Sequence, residues 1–145
     1  RYRKKRMAIS KIRAVYQNEI KDVWKVVTSL DRYQWRSDLS KIEIKNEKQF
    51  IEYTRDGYAT YFTVTVTEPF KRWEFDMENT NMKGHWTGIF TCQNGMTEIE
   101  FIEDVTAKKW IMKPFVKAFL IKQQERYVSD LRKALEQCVK SPDRE

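Results

Sequence analysis

The chain has 145 residues, the size of one ordinary domain, and at that length about two thirds of the unfolded surface can be buried. Apolar residues make up 41% and aromatics 14%, enough to offset the ordering entropy, which excludes a chain that stays disordered for want of a core. The formal charge of +7 points to an anionic partner only until it is divided: Arg1, Arg3, Lys4, Lys5 and Arg6 carry five of the charges, leaving +2 for the rest.

The expected organisation is a basic tail over 1–6, one domain over 7–139 and a C-terminal tail over 140–145. The basic run reads as a solvated tail or as a juxtamembrane segment drawn to anionic lipid heads. Beyond it, acidic and basic residues alternate without a stripe for phosphates, so nucleic acid is not an expected partner. No stretch approaches the roughly 20 apolar residues of a membrane span. The expected location is cytoplasmic, or membrane-tethered if an anchor preceded Arg1. Cys92 and Cys138 have neither metal-ligand nor redox spacing and are expected to be buried, reduced thiols.

In chain order, Ile9, Ile12, Ala14 and Tyr16 form an imperfect alternation that predicts a first strand. Asn18 offers a side-chain cap to a helix whose face is Ile20, Val23, Trp24, Val27 and Leu30. The segment Asp31–Leu39, with Tyr33 and Trp35, predicts a second short helix or helical turn. From Lys41 to Thr106 the period is two, and turn residues divide six strands near 40–45, 49–55, 58–68, 72–78, 84–93 and 96–106. Asp56-Gly57 and Asn94-Gly95 are the firmest of these hairpin signals, because both supply positive backbone angles.

A long amphipathic helix is then predicted from near Pro114 to before Ser141-Pro142. Its stripe holds Val116, Phe119, Leu120, Gln123, Tyr127, Leu131, Ala134, Leu135 and Cys138, with Asp130 among the residues outside it. A meander with one face to bury must curl around this helix, the only element long enough to cover it. The fold class is therefore α+β, a helix grip with a seven-stranded curved antiparallel sheet, a long C-terminal helix and two short helices between strands 1 and 2. Phe62, Val64 and Val66 are expected to point inward, as are Trp73, Phe75 and Met77, and Trp86, Gly88 and Phe90. The row Ile99, Phe101, Glu103, Val105 places a carboxylate among apolar residues, costly if ionised without a partner or water.

The opening strand running into NEIKDVWKVVTSLDRYQW, the turn and strand EPFKRWEFDM, the strand GHWTGIF, the NG hairpin followed by TEIEF, and the helix after KPF span Met7 to Glu136. Together they resemble the START-like or SRPBCC superfamily, and within it the polyketide cyclase/dehydrase-like branch. The resemblance implies a deep cavity between sheet and C-terminal helix that takes lipids, polyketides or other apolar ligands. It brings no universal catalytic motif, so no catalytic residue is carried over.

Trp35, Phe62, Phe75, Trp86, Phe90, Phe101, Phe119 and Tyr127 either line such a cavity or fill a core, and as a set they suit an apolar guest. Gln123 and Glu103 are each a pocket polar group or a satisfied structural one. Trp35 is expected near the mouth, where movement of its helix would act as a gate. His85, the only histidine, has no triad spacing and reads as a surface residue; no metal or cofactor site is apparent. Three functions remain open: a binder of a hydrophobic small molecule with Glu103, Gln123 and Tyr127 as polar contacts; a cyclase/dehydratase-like enzyme with Glu103 as acid or base; and a protein-binding module resembling chaperone-activating relatives.

Overall fold

Seven strands and one long helix account for most of the chain, and the computed structural model describes residues 7–140, with side chains as far as Gln137. The order is β1 (Ala8–Tyr16), α1 (Ile20–Thr28), β2 (Leu39–Ile44), β3 (Gln49–Thr54), β4 (Ala59–Glu68), β5 (Arg72–Glu78), β6 (Met82–Gln93), β7 (Met96–Ala107), a 3-10 turn (Trp110–Met112) and α2 (Lys113–Lys140). All neighbours are antiparallel in the order β1-β7-β6-β5-β4-β3-β2, so β2 to β7 meander and β1 closes against β7 at the far edge. Of the expected tails over 1–6 and 140–145, residues 1–6 and 141–145 lie outside the described residues.

Turn chemistry accounts for the strand boundaries. Asn94 (φ 52°) and Gly95 (φ 78°) both adopt the left-handed conformation that a two-residue hairpin requires. At the β3–β4 connection only Gly57 (φ 84°) does so. The alternation expected in β4 stops at a bulge between Val64 and Val66. Beyond it Val66 pairs with the outward Glu74, so Val66 leaves the inner face that Phe62 and Val64 share.

Between β1 and β2 there is one short helix, not two. The segment after α1 makes only isolated turns, Arg36 N–H to Tyr33 O and Leu39 N–H to Arg36 O, and Leu39 already begins β2. Its polar groups go elsewhere: Ser37 N–H and Oγ–H both donate to Asp130 Oδ2 on α2, each at 2.8 Å. Asp130 is thus buried rather than on the outer face of α2. Asn18 does not cap α1 either; Glu19 holds the cap position, and Asn18 Nδ2 donates to Leu135 O. Cys92 is exposed at the end of β6, contrary to the expected burial, and the side chain of Cys138 lies outside the described residues.

Aromatic rings run across the inner face from strand to strand. Phe50 of β3 stacks on Phe62 of β4 (4.8 Å), Phe62 meets Phe75 of β5 edge-on (5.0 Å), and Phe75 stacks on Trp86 of β6 (4.7 Å). Trp86 then touches Phe101 of β7, which meets Tyr127 of α2. Gly88 makes room for this row: a Cβ there would lie 2.5 Å from Trp86 Cη2. Such pairs add to the area they bury, each about 1 kcal/mol.

The helix is held over one side of the sheet, along β1 and β7. Leu131 and Leu135 belong to the main core with Tyr16, Val23 and Phe101, whereas Val116 and Leu120 pack with Val105 and Ala107 in a second cluster. Between the two clusters Gln124 joins the layers. Its Nε2 donates to Ser10 O (3.0 Å) and Phe101 O (3.3 Å), and Ser10 Oγ–H donates to Gln124 Oε1 (2.6 Å). The far part of the sheet curls away from the helix and leaves a hollow between them.

Candidate functional site

The hollow has two chambers. An inner one of about 90 Å³ lies over the aromatic row, with Trp35, Arg36 and Tyr127 on its other side. An outer, partly open one of about 670 Å³ lies between β3–β7 and the first half of α2, with Met82, Val105, Val116, Phe119 and Leu120 among its walls. That volume falls within the range of sites for small molecules. Asp38, Glu52, Phe62, Met77, Glu103 and Gln123 belong to both chambers and mark the boundary between them.

A part-buried ion cluster closes one side of this boundary. Arg36 donates to both carboxylate oxygens of Asp38, each at 3.1 Å, and to both of Glu52, each at 3.3 Å. Its guanidinium also lies 4.7 Å from the centre of the Tyr127 ring, a cation–π contact. Burial works against the charge of Arg36, but Glu52 and Asp38 outweigh it and hold the guanidinium protonated. With two carboxylates to one guanidinium, the cluster's cationic capacity is spent within it.

Glu103 stands against this cluster without a hydrogen-bonded partner of its own among the described residues, and the residue is 8% exposed. Burial, reinforced by the nearby negative charge of Glu52 and opposed by Arg36, raises its carboxyl to a pKa of about 7. Near neutral pH the carboxyl is thereby able to hold a proton, and that O–H can donate into the chambers. Burial likewise holds the Tyr127 phenol well above its ordinary range.

The expected site residues separate accordingly. Trp35, Phe62, Phe75, Trp86, Phe101, Glu103, Gln123 and Tyr127 line the inner chamber, and Phe119 lines the outer. Phe90 lines neither: it packs under α1, its ring 5.0 Å from that of Trp24. Gln123 is exposed at the boundary, and the buried amide expected of it is Gln124. Trp35 is not on a helix, but on the tied segment, with its ring 5.2 Å from Tyr127. His85 faces the opposite side of the sheet, with Nε2 2.7 Å from Glu74 Oε1 and Nδ1 2.7 Å from Asp76 Oδ1.

Arg36, Asp38 and Glu52 were not singled out by sequence. Glu52 had a signal, since it shares a period of two with Phe50, the same logic that brought out Glu103. Arg36 and Asp38 had none, because an irregular segment has no period to read.

A curved antiparallel sheet gripping a C-terminal helix over a hollow defines the helix-grip class. The comparisons with solved structures narrow this to the START-like, or SRPBCC, fold. A START superfamily protein from Mycobacterium smegmatis superposes with a TM-score of 0.79 at 14% identity, covering 89% of this chain and 97% of that one. A conserved protein from Geobacillus kaustophilus gives 0.77 at 10% identity, covering 90% and 96%. DynU16, a protein of the dynemicin biosynthetic locus, gives 0.71 at 16% identity, covering 88% of this chain and 47% of that one. No protein-family model and no curated protein matches the sequence.

Proposed function

We propose that this protein holds a hydrophobic small molecule, lipid or polyketide-like, in the chambers between the sheet and α2. The observation that carries this is Glu103: a buried residue whose carboxyl has no hydrogen-bond partner among the described residues and lines both chambers, where a 670 Å³ hollow meets an aromatic-lined recess. A purely structural carboxyl would be expected to have a partner, since an unmatched buried polar group costs about 1–3 kcal/mol. A guest with a carbonyl or hydroxyl oxygen at its inner end would accept the Glu103 O–H and lay its apolar body along Met82, Val116 and Leu120. Gln123 and Tyr127 supply the remaining polar contacts. Native mass spectrometry of protein purified from its own host tests this directly. A co-purified apolar molecule is expected; an empty protein that also shows no thermal shift with neutral lipids or aromatic polyketides would sink the reading.

The raised pKa of Glu103 favours one second reading, a cyclase/dehydratase-like enzyme in which this carboxyl shuttles a proton near neutral pH. DynU16, from a biosynthetic locus, shares the fold and gives a substrate class to try. Turnover of a cyclisable polyketide would then fall by about 100-fold or more in Glu103→Gln. Equal turnover in the two proteins removes Glu103 from any catalytic role.

A further inference from the structure

The start of α2 leaves large apolar side chains uncovered. Trp110 is 79% exposed, Ile111 61% and Phe115 65%, all within one turn and a half of chain. An exposed tryptophan next to an exposed isoleucine costs solvation that a monomer's surface does not recover, and contiguous apolar patches of this kind mark contact sites.

Charge identifies the kind of contact. Between Asp104 and Glu125 the sequence holds no acidic residue and five lysines, at positions 108, 109, 113, 117 and 122. Lys108 is engaged with Glu78 at 2.7 Å, whereas the other four are exposed and make no ion pair among the described residues. Aromatic and aliphatic side chains fringed by lysines, with the neighbouring Glu78 already paired to Lys108, match an anionic lipid surface: the indole settles at headgroup depth and the ammoniums meet phosphates.

We propose that the 3-10 turn and first turns of α2 dock the protein on anionic membranes, through Trp110, Ile111 and Phe115 with Lys109, Lys113 and Lys117. Phe115 and its neighbour Met112 also line the outer chamber, so docking brings the mouth of the hollow to the lipid. The docking surface stands on exposure and charge alone and does not require the chamber to be occupied.

Co-sedimentation of the full chain with vesicles tests it, comparing phosphatidylcholine alone with phosphatidylcholine containing phosphatidylglycerol, at low and high salt. Binding is expected only to the anionic vesicles and is weakened by salt. Trp110→Ser with Ile111→Ser, and separately Lys113→Glu with Lys117→Glu, are each expected to weaken it by about tenfold or more, with unchanged circular dichroism. Four results would overturn the assignment: no binding to either vesicle; equal binding to both; variants that bind as the parent does, which would leave the basic residues at 1–6 as the cause; or a dimer in ultracentrifugation that Trp110→Ser dissociates, which would make the patch a contact between copies.

Discussion

Glu103 is the residue at which stability and function pull apart. Its folded pKa of about 7 lies above the ordinary 4.5, so the folded state holds the proton more tightly than the unfolded chain does. Below about pH 4.5 both states are protonated and the residue costs nothing by this route. As pH rises from 4.5 toward 7 the unfolded chain ionises first, and stability falls; above 7 the full cost remains, about 3 kcal/mol. Glu103→Gln is therefore expected to match the parent in acid and to melt progressively higher than it through neutral pH, read by thermal melts across that window. A melting difference that stays flat with pH would mean the carboxyl is not desolvated. Gln124 behaves oppositely: Gln124→Leu strands Ser10 Oγ–H and two carbonyl partners and is expected to cost about 1–3 kcal/mol, while Gln123→Leu costs under about 0.5. Urea midpoints of the two neighbours separate the buried amide from the exposed one.

At the scale of elements, the segment from Ser29 to Asp38 shows what the pattern of the sequence could and could not disclose. Regular elements were legible because burial repeats along them: six strand spans and α2 follow from periods of two and 3.6, and β6 from the Trp86–Gly88–Phe90 face. Gln124, not its neighbour Gln123, holds the buried position, because the stripe runs through Val116, Leu120, Gln124, Leu131 and Leu135, with Tyr127 partly buried, and leaves Phe119 outside it. The aperiodic segment has its conformation set by long-range partners, Asp130 for Ser37 and Glu52 for Arg36, which no local window contains. Removing one of these partners tests the point. Arg36→Met leaves Asp38 and Glu52 facing each other half-desolvated and is expected to cost about 3 kcal/mol. Faster amide exchange should be confined to the residues around Ser37 if the segment alone is released; exchange spreading through β5 and β6 would show that the cluster supports the whole sheet.

For the whole molecule, the hollow follows from how few contacts a single helix can make with a seven-stranded sheet. Because α2 is committed to β1 and β7 at both ends, the curl of β2–β5 leaves a partly open space that no described side chain fills, and the boundary residues decide how that space is divided. Gln123 is the position from which the division can be changed at least structural cost, since it is exposed yet lines both chambers. An indole there fills the passage without removing a core contact. Gln123→Trp is expected to keep the parent's melting temperature while losing most of the fluorescence gain of Nile red, a neutral dye that brightens in apolar pockets. Trp110→Ser, on the outer patch, should keep that gain, which separates dye in the chambers from dye on the surface. If Gln123→Trp binds the dye as the parent does and Trp110→Ser does not, apolar guests reside on the exposed start of α2 and the interior is closed to them.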